Sequence, residues 1–277
     1  MNYIEVDICL EDINSYHDIL IAKLNEIGFE SYLQDKNGVK AYVPKIMFNN
    51  LRLRNLISKI KEDIQISYKT SEIKQKNWNK IWEENFEPVF INKECVIRAH
   101  FHDSFPDYNH DIIITPKMSF GTGHHETTEL MINSMFDLDF NNKNVLDVGA
   151  GTGVLSILSS RLGAKSIMAI DIDDFAYDNA KENALLNKVV NIKFLKGTIY
   201  NINKMIFDIL LVNINRNVIL NDLLEYSNLM NKGSEILLSG FLDKDRSIIL
   251  DNIKELDFKE VNSKKNNQWQ ILHLSKV

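Results

Sequence analysis

Beyond residue 143 the chain alternates short apolar runs with longer amphipathic ones. VLDVG, starting at Val145, is apolar up to Asp147, and LSILSSRLG then places its apolar residues at helical spacing. SIMAID is apolar again and ends on Asp171. DDFAYDNAKENALLN has a helical pattern, NIKFLKG that of a strand, and FDILLVN is apolar throughout as far as Asn213. VILNDLLEYSNLM reads as a helix stopped near Gly233, SEILLSG as a strand, and Asp245 to Leu256 as a helix. FKEVNSKK and NQWQILHLSK read as a closing antiparallel pair. Strands that alternate with helices predict an α/β fold around a mainly parallel sheet.

The first part of the chain follows another rhythm. YIEVDICL alternates like a strand, and Ile19, Leu20, Ala22, Leu24 and Ile27 share one helix face before Gly28. FESYLQ and VKAYVP flank the turn signal DKNG, a helix is predicted over Lys45 to Lys61, and IQISYK follows as a strand. The order βαββαβ predicts a small α+β ferredoxin-like domain over residues 1–67. Residues 68–92 read as a helical linker with Trp78, Trp82 and Phe86 at intervals of four. Those rings either pack on the second domain or grip a substrate. The second domain is assigned to residues 93–277, opening with the strand-like runs CVIRAHF and DIIITP.

Composition narrows the class. The 277 residues are 44% hydrophobic and 25% charged, as in an ordinary globular protein, and suffice for two modest domains. A net charge of −6 argues against direct nucleic-acid binding and suits a basic partner. Cys9 and Cys95 are too few for a disulfide framework and lack metal-ligand spacing. No apolar run approaches a membrane span and no signal peptide is visible, so a cytoplasmic, monomeric protein without membrane contact is expected.

The candidate chemistry begins at VLDVGAGTG, Val145 to Gly153. Three alternating glycines after a strand give a sharp turn that a ligand can approach closely. The helix beyond points free N–H groups back at the turn. Asp171, twenty-two residues past Gly149, suits the hydroxyls of a ribose. The dinucleotide pattern G-x-G-x-x-G fails in both registers, because its third glycine falls on Val154 or Ser156. An Asp two residues before G-x-G-x-G instead resembles the first motif of class I S-adenosylmethionine-dependent methyltransferases.

A second motif is SFGTGHHETT, Ser119 to Thr128. Gly121 and Gly123 allow close approach, and Thr127 and Thr128 fall at a helix start, where hydroxyls and free N–H groups suit a carboxylate. Thr127 is equally readable as a plain helix cap. HHETT lacks the H-E-x-x-H spacing, so no metal site is expected at His124 and His125. The loop resembles, almost letter for letter, that of the PrmA family of protein methyltransferases, which modify large-subunit ribosomal protein number eleven. The resemblance covers essentially the whole chain.

It implies a Rossmann-like class I methyltransferase fold with a seven-stranded sheet, S-adenosylmethionine as cofactor and a large-subunit ribosomal protein as substrate. The expected activity is N-methylation of the α-amine and of lysine side chains; a protein-lysine methyltransferase with a non-ribosomal target is the alternative. The family's cofactor set falls on Thr128, Gly149, Asp171 and Asn213, with Asn213 the expected catalytic residue. Phe120, Gly121, Thr122, Gly123, Thr127, Asp147, Ala150, Gly151 and Ile172 complete the expected cofactor site. The chain departs from the family pattern in two places. Asn215 stands where Leu is common, to contact the acceptor or to cap the next helix. Gly197-Thr198 stands where an acid usually follows the third strand, which leaves the adenine contacts open.

Overall fold

The computed structural model describes residues 2–10, 13–35, 38–61, 64–73, 85–117, 119–202 and 205–277. Its residues fall into two compact units, 1–85 and 86–277.

In the first unit, β1 (Tyr3–Leu10), α1 (Ile13–Glu26), β2 (Ser31–Asp35), β3 (Gly38–Pro44), α2 (Asn50–Ile60) and β4 (Ile66–Ile73) follow one another. The sheet order is β2-β3-β1-β4, every pairing antiparallel, so β3 lies between β1 and β2. Alternation in β1 sends Ile4, Val6, Ile8 and Leu10 to one face, where they meet Leu20 and Leu24 of α1 and Leu53, Ile57 and Ile60 of α2. Asn49 caps α2 by accepting from the Leu51 and Arg52 N–H groups. β4 extends past the expected boundary at 67, pairing with β1 as far as Tyr3–Ile73. Its second half is exposed and polar, so backbone pairing continues where hydrophobic alternation has stopped.

The second unit opens with a small sheet of β5 (Val89–Ile91), β6 (Cys95–Ala99) and β7 (His110–Ile114). β5 pairs with β6, which places residues 89–91 in this unit and not in a linker. Then come α3 (Glu126–Met135), β8 (Asn144–Val148), α4 (Val154–Arg161), β9 (Ser166–Asp171), α5 (Asp174–Leu186), β10 (Ile192–Lys196), β11 (Phe207–Asn213), α6 (Arg216–Asn228), β12 (Met230–Leu242), α7 (Arg246–Ile253), β13 (Phe258–Asn266) and β14 (Trp269–Lys276). Seven strands form one sheet in the order β10-β9-β8-β11-β12-β14-β13. β8 to β12 are parallel, and the closing pair is antiparallel as expected.

Both faces of this sheet are covered. Ile209 and Leu211 of β11 pack into the core shared with α3 and α4, while Leu210 and Val212 pack against Ile219 and Leu223 of α6. Double coverage explains why FDILLVN is apolar without alternation. The chain turns back on itself at β8, whose neighbours are β9 and β11. Such a reversal opens a crevice at the carboxyl ends of the strands. No helix among the described residues is long and apolar enough to cross a membrane.

Candidate cofactor and active site

The three glycines after β8 all have positive φ: Gly149 at 70°, Gly151 at 56° and Gly153 at 77°. Each also faces the protein itself. A Cβ on Gly149 would strike Ile214 Cγ2, one on Gly151 the Phe120 carbonyl oxygen, and one on Gly153 the Ala180 Cβ at 3.1 Å. The glycines are therefore demanded by internal packing as well as by the turn and the ligand's approach expected from sequence.

Gly153 caps α4 without a side chain. Asp147 supplies what is missing: it lies under the turn and accepts from the Ser156 hydroxyl at 2.6 Å and from the Ser156 backbone. Full burial pushes this carboxyl up to about 7, against the two Ser156 hydrogen bonds that favour its charged form. Asp147 thus supports the turn and does not line the cavity. Asp171 does line it, and also ties β9 to the turn. One carboxylate oxygen accepts from Gly151 N–H at 2.8 Å and the other from Asp173 N–H at 3.0 Å.

The crevice holds a cavity of about 700 Å³. Its polar walls come from Asp171, Asp173, Asp222, Asn213, Asn215 and Ser119, and no Lys, Arg or His is among its lining residues. The Asn213 Oδ1 and Ser119 Oγ atoms are buried and have no hydrogen-bond partner among the described residues. Asn215 accepts from the Val218 N–H at 3.2 Å and so caps α6, while also reaching the cavity wall.

The 119–125 loop is pinned onto the glycine turn. Thr152 donates its N–H to the Phe120 carbonyl at 2.8 Å and its hydroxyl to the Gly121 carbonyl at 2.6 Å. Phe120 is half-exposed on the cavity wall, edge-on to His125. His125, not Thr127, caps α3, accepting from the Thr127 N–H and hydroxyl. The Thr122 hydroxyl meets His124 Nδ1, His124 Nε2–H donates to the Glu87 carbonyl, and Phe86 packs edge-on to His124 at 4.8 Å. Phe86 therefore has a packing role; Trp78 and Trp82 lie outside the described residues. Gly123 rests against Ile97 and Val89. Thr128 is buried, and its hydroxyl has no partner among the described residues.

Of the residues expected from sequence, the cavity brings together Phe120, Gly149, Gly151, Asp171, Ile172 and Asn213. Gly121, Thr122, Gly123, Thr127, Thr128, Asp147 and Ala150 are not among its lining residues. The sequence reading missed Ser119, Phe175, Ile199, Val218 and Asp222. Asp222 alone left a signal, an acid on the otherwise apolar face of VILNDLL.

The family model described as ribosomal protein L11 methyltransferase (PrmA) matches residues 8–277. The chain belongs to the PrmA family. It is 38% identical to the ribosomal protein L11 methyltransferase of Phocaeicola vulgatus over 97% of each chain. It is 39% identical to that of Bacteroides thetaiotaomicron, over 94% of this chain and 93% of that protein. The crystal structure of the ribosomal protein L11 methylase from Lactobacillus delbrueckii subsp. bulgaricus matches with a TM-score of 0.65 and 26% identity, covering 69% of this chain and 99% of that one. PrmA membership and this match make the second unit a class I methyltransferase fold that uses S-adenosylmethionine.

The cavity fits that cofactor. Its acidic walls suit a ligand carrying sulfonium and ammonium charges, and the orphaned Asn213 and Ser119 oxygens await polar partners. A pyrophosphate would meet the carboxylates of Asp171, Asp173 and Asp222 on a wall whose described lining residues include no Lys, Arg or His.

Proposed function

We propose that this chain transfers methyl groups to amines of ribosomal protein L11, its α-amino group and lysine side chains included. The observation that carries the reading is the Asn213 side chain: a buried, partnerless acceptor at the carboxyl end of β11, on the wall of a cleft suited to the methyl donor. In this reading Asp171 holds the ribose, while Gly149 and Gly151 let the ligand lie against the turn. Ile172 and Phe120 flank it, and Thr128 at the α3 start serves the carboxylate end. Asp147, Ala150, Gly121, Thr122, Gly123 and Thr127 keep that cradle in shape.

When bound, the cofactor supplies a sulfonium methyl group that is already activated toward displacement. The protein's part is then mainly positioning. Asn213 Oδ1 accepts an N–H of the incoming amine and aims its lone pair along the line of attack. The new N–C bond forms as the C–S bond breaks, and its electron pair stays on sulfur. The amine must arrive neutral. An α-amine with a reference pKa of about 7.7–8.0 is partly neutral at pH 7, whereas a lysine at about 10.4 must be desolvated first. The cavity-lining acids are otherwise engaged: Asp171 by two N–H groups, Asp173 in capping α5, Asp222 by Tyr200. Water takes the released proton.

The N-terminal unit has a recognition role in this proposal. The sheet face away from its helices carries Tyr3, Tyr42, Leu33 and Ile73 around a hollow of about 460 Å³, with Glu5 and Asp7 on the same face of β1. Aromatic and apolar anchors among acids suit a basic protein. A cytoplasmic setting follows from such a substrate.

The test is mass spectrometry of purified L11 incubated with the enzyme and labelled donor. Methyl groups on its α-amine and lysines are expected, and an unmodified L11 beside active cofactor turnover on another protein would overturn the reading.

A further inference from the structure

The far wall of the cavity holds an acid that neither the cradle nor the acceptor step uses. Asp222 sits on α6, one turn after Val218, and both line the cavity. It is 8% exposed. Its Oδ1 accepts from the Tyr200 hydroxyl at 2.9 Å. Tyr200 belongs to the short turn after β10, so this bond ties Asp222 of α6 to the β10 end of the sheet. A carboxylate has about four acceptor positions, and among the described residues Tyr200 occupies one of them, which leaves the second oxygen open to a ligand in the cavity.

The surroundings say which ligand group does so. Ile199 and Val218 beside Asp222, with Ile172 and Phe175 on the β9 side, give this end of the cavity apolar walls suited to a flat ring. The loop after β10 offers Gly197-Thr198 and no acid. An ionised carboxylate only accepts hydrogen bonds, so it selects a ring edge that donates.

We propose that Asp222 is the specificity-determining residue for the base of the cofactor, accepting a hydrogen bond from the exocyclic amine of adenine. The proposal rests on the cofactor assigned above. Tyr200 is its positioning partner, turning the carboxylate so that the second oxygen meets the base.

The experiment is calorimetric titration of the full chain with S-adenosylhomocysteine and with its 6-deamino analogue, in which hydrogen replaces the amine. The wild-type protein is expected to bind the amine-bearing ligand about tenfold more tightly, the worth of one hydrogen bond to a charged group. Asp222→Ala should lose about tenfold for that ligand and bind the two nearly equally. Tyr200→Phe, which keeps the carboxylate, should keep most of the discrimination. A purely structural Asp222 would weaken both ligands together and leave their ratio intact, and that result overturns the proposal. Equal binding of the two ligands by the wild-type protein overturns it without any variant. Absence of binding by either ligand would instead remove the cofactor assignment beneath it.

Discussion

Among the described residues, the two units bury different kinds of side chain. The N-terminal unit buries only apolar ones, such as Val6, Leu24, Val43 and Ile57. Every buried polar or charged side chain, from Arg98 to His273, belongs to the second unit. The same unit contains every buried polar atom without a partner, Ser119, Thr128 and Asn213 of the cofactor reading among them. Polar burial is expensive unless it is satisfied, by the protein or by a ligand. The first unit is thus complete in itself, and what it offers a partner is its outer face. In the second, two of these atoms, on Ser119 and Asn213, belong to residues that line the cleft. In the reading proposed above, recognition and chemistry are separated along the chain in the same way.

Deleting residues 1–85 breaks the comparison most forcefully. The second unit has its own core, so binding of S-adenosylhomocysteine should survive. Activity on folded L11 should fall about 10³-fold in kcat/KM, the scale lost when a tethered second contact is removed. Activity that survives on the folded protein would place recognition in the second unit.

Asn213→Ala tests the other half. Removing the orphaned acceptor should lower kcat about 10²-fold through lost alignment, while the melting temperature of the ligand-free protein hardly changes, since no protein group depends on that oxygen. Unchanged turnover would take the amine-orienting role away from Asn213.

How far the sequence foretold this arrangement depends on which physical signal was involved. Parallel strands buried on both faces leave apolar runs, so β8, β9 and β11 were readable, as were the glycine turn, Asp171 and Asn213 at strand ends. The end of β4 was not, because exposed backbone pairing leaves no hydrophobic mark. Nor was the separate β5-β6-β7 sheet, since apolar β6 and β7 look like any other buried strand. Spacing within a motif does not separate residues that face the ligand from those that face protein, and Gly123, Thr127 and Asp147 face protein. Val218 and Ile199 line the cavity with side chains indistinguishable in sequence from core.

Gly151→Ala sharpens the point about the glycine turn. Its Cβ would collide with the Phe120 carbonyl while φ stays positive, so a cost of about 3 kcal/mol is expected in denaturant unfolding. Gly233 also has positive φ, but nothing lies within 4 Å of its Cβ. Gly233→Ala should therefore cost only about 1 kcal/mol, the conformational share alone. Equal costs would mean that the loop at 119–125 yields freely.

Asp147 gives the one effect that depends on pH. Burial holds its folded-state pKa at about 7, above the 3.8 of a freely solvated aspartate. Between those values the folded chain binds the proton more tightly than the unfolded chain, so stability falls as pH rises through that window and levels off above it. Asp147→Asn keeps an acceptor for Ser156 but has no proton to lose. Its buried amide adds a penalty that does not change with pH. The informative quantity is therefore the slope: from pH 5 to pH 7 the stability of the wild-type protein should fall by about 2 kcal/mol relative to Asp147→Asn. Denaturant unfolding of the ligand-free proteins at the two pH values measures it. A difference that stays constant would mean that Asp147 is already ionised at pH 5, and that the Ser156 hydrogen bonds outweigh the burial.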